Sequence, residues 1–189
     1  MDEDALCEAL RRNDVLVEVL RRAAVLDLPG WYLTAGCVVQ TVWNVVTGRP
    51  PGEGIEDYDL FYFDGSDLGW DAEDAVIRTG ARVFGDLPAV VEIRNEARVH
   101  LWYEDRFGVP CPPYTSTEAA IDSFAATTCC VGVRLTGDRW HVYAPHGLDD
   151  VFGLVVRPNP VLAPRAVYET KTRRWREQWP ALTVLPWST

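Results

Sequence analysis

The chain has 189 residues, 48% of them hydrophobic and 24% charged, enough to bury one full core and without any apolar run of membrane-spanning length. Its formal net charge of −10, with 17 arginines and one lysine, disfavours tRNA or DNA as a partner, because nucleic-acid binders neutralise phosphates with a basic face. Five cysteines (Cys7, Cys37, Cys111, Cys129, Cys130), odd in number and lacking a CxxC pair, point to a reduced cytoplasm and away from structural zinc.

In chain order, the acidic start Met1-Asp2-Glu3-Asp4 is unlike a signal peptide. Residues from about Ala5 to Leu26 read as one or two amphipathic helices, with Asn13 able to cap the second. Trp31 to Thr34 reads as a short strand that turns through Ala35-Gly36-Cys37 into a helix. Val38, Val39, Val42, Trp43 and Val46 mark one face of it, and Gly48 and Pro50 end it. Such a turn offers free backbone N–H groups and a positive dipole end to a phosphate, although an ordinary tight strand–helix turn has the same sequence.

Ile55 to Asp64 is the most informative stretch. It is an apolar, aromatic strand with Asp57 and Asp59 in its first half, and strand alternation puts both carboxylates on one face. Two buried negative charges are costly unless a cation joins them, and Mg²⁺ favours such hard oxygen ligands. A solvated edge strand is the alternative. Asp64, before Gly65-Ser66-Asp67, reads as a turn residue. Asp71 to Ala81 reads as a helix, and Ala89 to Ile93 as a second apolar strand. Its central Glu92 is either outward-facing or, beside the Asp pair, a third metal ligand.

Farther on, Arg98 to Tyr103 reads as a strand containing His100. Asn95 and Arg98 follow the third acid and are placed to line the same cleft. Thr115-Ser116-Thr117-Glu118 is a capping box for a helix to about Ala126, and Cys129-Cys130 reads as core filler on opposite faces of a strand. Val131 to Leu135 and Trp140 to Tyr143 form a hairpin about Thr136-Gly137-Asp138. His146 and Asp149 read as structural. Pro164 opens a last helix on which Lys171 and Arg174 share a face, available to a triphosphate or simply to solvent. The pattern is α/β (α+β), a mixed sheet flanked by helices. It is read as one domain over residues 1–189, with N-terminal helices 1–28, a core 31–103 and a C-terminal extension 104–189.

The turn at Gly36, the Asp57-Tyr58-Asp59 strand and Glu92 on a later strand together resemble the nucleotidyltransferase superfamily that shares its catalytic domain with DNA polymerase beta. Gly36-Cys37-Val38-Val39 through Thr47-Gly48-Arg49-Pro50-Pro51 to the Asp pair is similar to the head domain of CCA-adding enzymes. Trp43-Asn44, Tyr62-Phe63-Asp64, Asn95 to Tyr103, Ala144 to Asp150 and Trp179-Pro180 resemble a narrower group, bacterial nucleotidyltransferase-like proteins of about this length. The resemblance implies Asp57, Asp59 and Glu92 as catalytic, metal-binding acids for Mg²⁺ or Mn²⁺. It also implies that Gly36 and Cys37 seat a nucleotide that Lys171 and Arg174 help to bind. Asn95, Arg98 and His100 are candidates for the substrate site. The substrates implied are an NTP and a hydroxyl of a small molecule or protein. A non-catalytic nucleotide-binding or interaction module, including a toxin–antitoxin partner, is the alternative. Two departures stand out: Cys37 occupies a position usually Gly or Ser, and Pro50-Pro51-Gly52-Glu53-Gly54 lengthens the gap before the Asp pair.

Overall fold

A computed structural model describes residues 1–187. Helices α1 (Glu3–Arg11) and α2 (Asp14–Leu26) come first, and the Asn13 side chain caps α2 by accepting from the Leu16 N–H at 3.1 Å. Strand β1 (Tyr32–Thr34) turns into α3 (Gly36–Val46), and β2 (Asp57–Tyr62) follows the proline–glycine loop. Then come α4 (Trp70–Phe84), β3 (Val90–Asn95), α5 (Tyr103–Phe107) and α6 (Thr117–Ile121). The hairpin β4 (Gly132–Thr136) and β5 (Arg139–Tyr143), then α7 (Asp149–Phe152), β6 (Val155–Val156), α8 (Arg165–Gln178) and β7 (Thr183–Val184) complete the chain.

Five strands form one mixed sheet in the order β3-β2-β1-β4-β5; β2 and β3 are parallel, and the other neighbours are antiparallel. Strand alternation sorts the two faces. Tyr58, Leu60 and Tyr62 of β2, with Leu33, Ile93 and Val133, are buried in the core. Helices α2 and α4 pack on that side, and α4 comes so near β3 that a Cβ on Gly80 would lie 2.1 Å from the Ile93 side chain. The other face carries Asp57, Asp59 and Phe61 with their register partners Val90, Glu92 and Arg94. The segment around α6 covers part of it: Tyr32 packs with Ile121 and Cys130, and a Cβ on Gly132 would meet both Ile121 and Tyr32 at 2.9 Å.

Three local expectations are corrected. Residues 98–103 are not a strand but a 3₁₀ turn (Glu96–Leu101) running into α5. The cause is Asn95, whose side chain accepts from the Ala97 N–H and ties the turn to Asp64, while Arg98 pairs with Glu73. The α6 helix stops at Ile121 rather than near Ala126, with Ser116 as its cap. Cys129 closes a short 3₁₀ turn and Cys130 follows it, so neither is on a strand; both are buried.

Helix α8 is fixed from below. The indole rings of Trp175 and Trp179 each meet Trp43 of α3 edge-on, with centroids 5.6 Å apart, and Trp179 Nε1 donates to Asn44 Oδ1 at 2.7 Å. The same Asn44 donates to the carbonyls of Pro51 and Glu53, so one buried amide holds both α8 and the proline–glycine loop.

Candidate active site

The site is assembled where β1 hands over to α3 beside the middle of β2. Thr34 and Asp59 are register partners, as are Asp59 and Glu92, so β1, β2 and β3 present neighbouring side chains at one level of the sheet. Adjacent strands are about 4.8 Å apart, and Asp57 and Asp59 about 6.5–7 Å along one strand. All three acids therefore face the same way.

Burial pushes the Asp59 carboxyl up to about 7, and the charges of Asp57 and Glu92 push in the same direction, while Lys171 and Arg94 pull it back. That electrostatic pattern fits a divalent cation: the donors are hard oxygens, and their mutual repulsion is only partly relieved by the protein's own cations. Glu92 is exposed, and Arg94 approaches it at 3.5 Å. Among the described residues no three His, Cys, Asp or Glu side chains are already gathered as a metal cage. Asp57 and Asp59 are the side chains that would hold a cation here, with Glu92 the third acid on the same face.

A cleft of about 330 Å³ opens on this face. Ala35, Gly36, Asp59, Lys171, Arg94, Glu96 and a set of aromatic rings line it. Asp57 and Glu92 are on the same sheet face, outside the cleft lining. Ala35, the N-cap of α3, has no side-chain oxygen to cap the first turn, which leaves backbone N–H groups there for a ligand. The turn is strained: Ala35 has φ 61° and ψ −133°, a region that favours glycine.

The remaining sequence candidates divide. Lys171, on the exposed side of α8, is brought to the cleft and its charge reaches Asp59. Arg174 is instead paired with Glu56 at 3.1 Å, away from the cleft lining. Cys37 is fully buried and its thiol donates to the Thr34 carbonyl at 3.2 Å, so it faces the core rather than a phosphate; burial holds that thiol well above the usual range. Asn95 and Arg98 are committed to the fold, Asn95 to Asp64 and Ala97, Arg98 to Glu73 and the Leu68 carbonyl. His100 is half-buried in the 3₁₀ turn, outside the cleft lining, with Nδ1 unpartnered. Sequence reasoning missed Arg94 and Glu96. Glu92, Arg94 and Glu96 recur at every second residue, and continued strand alternation alone would have put all three on the acid face.

A profile of the nucleotidyltransferase family matches residues 21–184. The chain belongs to the nucleotidyltransferase family. In three dimensions it is similar to a protein whose NMR structure reveals a CCA-adding enzyme head domain. The TM-score is 0.80 and the identity 23%, over 98% of this chain and 97% of that one. At that identity the likeness establishes a shared fold. No curated protein matches the chain. Nucleotidyl transfer needs charge neutralisation and anion seating, and the Asp pair of β2 and the start of α3 beside it are the candidates for them.

Proposed function

We propose that the protein transfers a nucleoside monophosphate from an NTP to a hydroxyl of a small molecule or protein, with Mg²⁺ or Mn²⁺ as cofactor. The observation that carries this reading is that Asp57, Asp59 and Glu92 share one sheet face, Asp59 level with Glu92, beside the start of α3. The bound metal would supply charge neutralisation on the triphosphate and lower the acceptor's pKa. Asp57 and Asp59 hold it; Glu92 serves the acceptor side. Gly36 and the backbone after it seat the outer phosphates, and Lys171 on α8 adds a point charge. The acceptor oxygen bonds to the α-phosphorus, the bond to the bridging oxygen breaks, pyrophosphate leaves with that electron pair, and the hydroxyl proton passes to water.

The test is pyrophosphate release from each NTP with Mg²⁺ or Mn²⁺, with and without a metabolite extract. Turnover that requires the extract supports a small-molecule acceptor. Nucleotide binding without turnover under any condition would support the second reading, a non-catalytic nucleotide-binding module. Cys37, which faces the core and offers no contact to a phosphate, favours that second reading.

A further inference from the structure

Glu96 is the part of the cleft that transfer at Asp57 and Asp59 leaves unexplained. It is 3% exposed, it borders the cleft, and its Oε1 has no hydrogen-bond partner among the described residues. Buried carboxyls are normally paired, because leaving one unsatisfied costs stability. Burial pushes this one up to about 8; Arg94 lowers it and Asp59 raises it. Around it the cleft is walled by Trp102, Tyr103, Phe107, Tyr114 and Phe124. Tyr114 is already bonded to Ser123, so its hydroxyl is committed to the wall, and Arg94 lies over the Trp102 ring at 5.5 Å. Arg106 is stacked in the same way on Trp102 and Phe107, and Ser123 donates to the Ala120 carbonyl, so the wall suits a flat apolar body and Glu96 is the buried polar group left to anchor it.

The position of this chamber decides its occupant. Of the phosphate-seating groups, Lys171 comes from α8 and Gly36 follows β1, whereas Arg94 is on β3 and Glu96 follows it, so β2 with Asp59 lies between Gly36 and Glu96 in the sheet order. A nucleotide anchored by its phosphates on the first side leaves the second to the acceptor. We propose that the Glu96 chamber is the acceptor subsite and takes a small molecule whose hydroxyl is carried on an aromatic or heteroaromatic ring, an inference that rests on reading Asp57 and Asp59 as the transfer centre. Glu96 is a binding residue that hydrogen-bonds the ring's hydroxyl. A sugar's several hydroxyls would find Arg94 and Arg106 already stacked on rings, and a cleft of about 330 Å³ is small-molecule sized.

The experiment uses the full chain without nucleotide or metal, so that its failure is separate from a failure of transfer. Binding of phenol and 3-hydroxypyridine is followed by amide and indole chemical shifts, against toluene and pyridine as hydroxyl-free controls and ribose and glucose as polyols. The hydroxylated rings are expected to shift Glu96 and Trp102 and to bind roughly tenfold better than their controls, the effect of one buried hydrogen bond. In Glu96→Leu, similar in size, that preference should fall to near unity while the rings still bind. If that variant fails to fold, the shift map of the native protein decides by itself. Polyol binding equal to ring binding, shifts remote from the chamber, or an unchanged hydroxyl preference in Glu96→Leu would overturn the proposal. A sugar identified as acceptor in the pyrophosphate assay would overturn it while leaving nucleotidyl transfer intact.

Discussion

Asp59 and Glu96 each bind a proton more tightly folded than unfolded, Asp59 near 7 against 3.8 and Glu96 near 8 against 4.5. Between those values the unfolded chain holds fewer protons, so stability falls as pH rises: through about 4 to 7 for Asp59, and 4.5 to 8 for Glu96. The metal-free protein should therefore melt lower at pH 8 than at pH 5. Asp59→Asn should remove part of that slope and raise the pH 8 melting temperature by roughly 2–4 °C for each kcal/mol of repulsion and burial cost relieved, read by circular dichroism. Mg²⁺ should stabilise the native protein at pH 8 but not the variant. An identical slope in both would show that Asp59 is not the strained carboxyl. Ala35 offers a second residue-scale test. Ala35→Gly relieves a left-handed φ and should stabilise by about 1 kcal/mol in a denaturant titration. A loss instead would mean that the turn relaxes in solution.

Among elements, α8 matters because it carries the lysine that faces the acids. Its seat is the Trp43, Trp175 and Trp179 cluster pinned by Asn44, which is fully buried with three hydrogen bonds. Asn44→Ala should cost about 2–4 kcal/mol, because it leaves the Trp179 indole and two carbonyls unpaired. Lys171→Met separates seat from function. The side chain is exposed, so stability should change by less than about 0.5 kcal/mol. Triphosphate affinity should fall roughly tenfold, the worth of one charge-assisted contact, measured by calorimetry. Unchanged affinity would return Lys171 to the role of a solvated surface charge.

For the molecule as a whole, the strongly periodic helices and the alternating strands were legible in the sequence, and so was the acid strand, because two aspartates in an aromatic run conflict with a purely apolar core. Residues 98–103 were not. Val99-His100-Leu101-Trp102 alternates like a strand, but Asn95 bends the chain and the buried Glu73–Arg98 pair holds the turn, partners 22 to 31 residues away that no local pattern contains. The face of Arg94 and Glu96 was within reach of strand alternation, but that Glu96 is buried in the cleft, and that Ala35 is strained, depends on which strand lies next to β2 and which loop covers the acid face. The net charge of −10 acts at this scale too. Binding of tRNA or duplex DNA should be negligible at physiological salt in a mobility-shift assay, and tight, steeply salt-dependent binding would contradict the exclusion of nucleic acid. The central claim is that Asp57 and Asp59 join a divalent cation to a nucleotide. Its most direct test is calorimetric titration of NTP into the native protein, Asp57→Asn and Asp59→Asn, with and without Mg²⁺. The expected result is binding by the native protein that requires Mg²⁺ and is lost in both folded variants. Metal-independent binding, or binding that survives both substitutions, would contradict it.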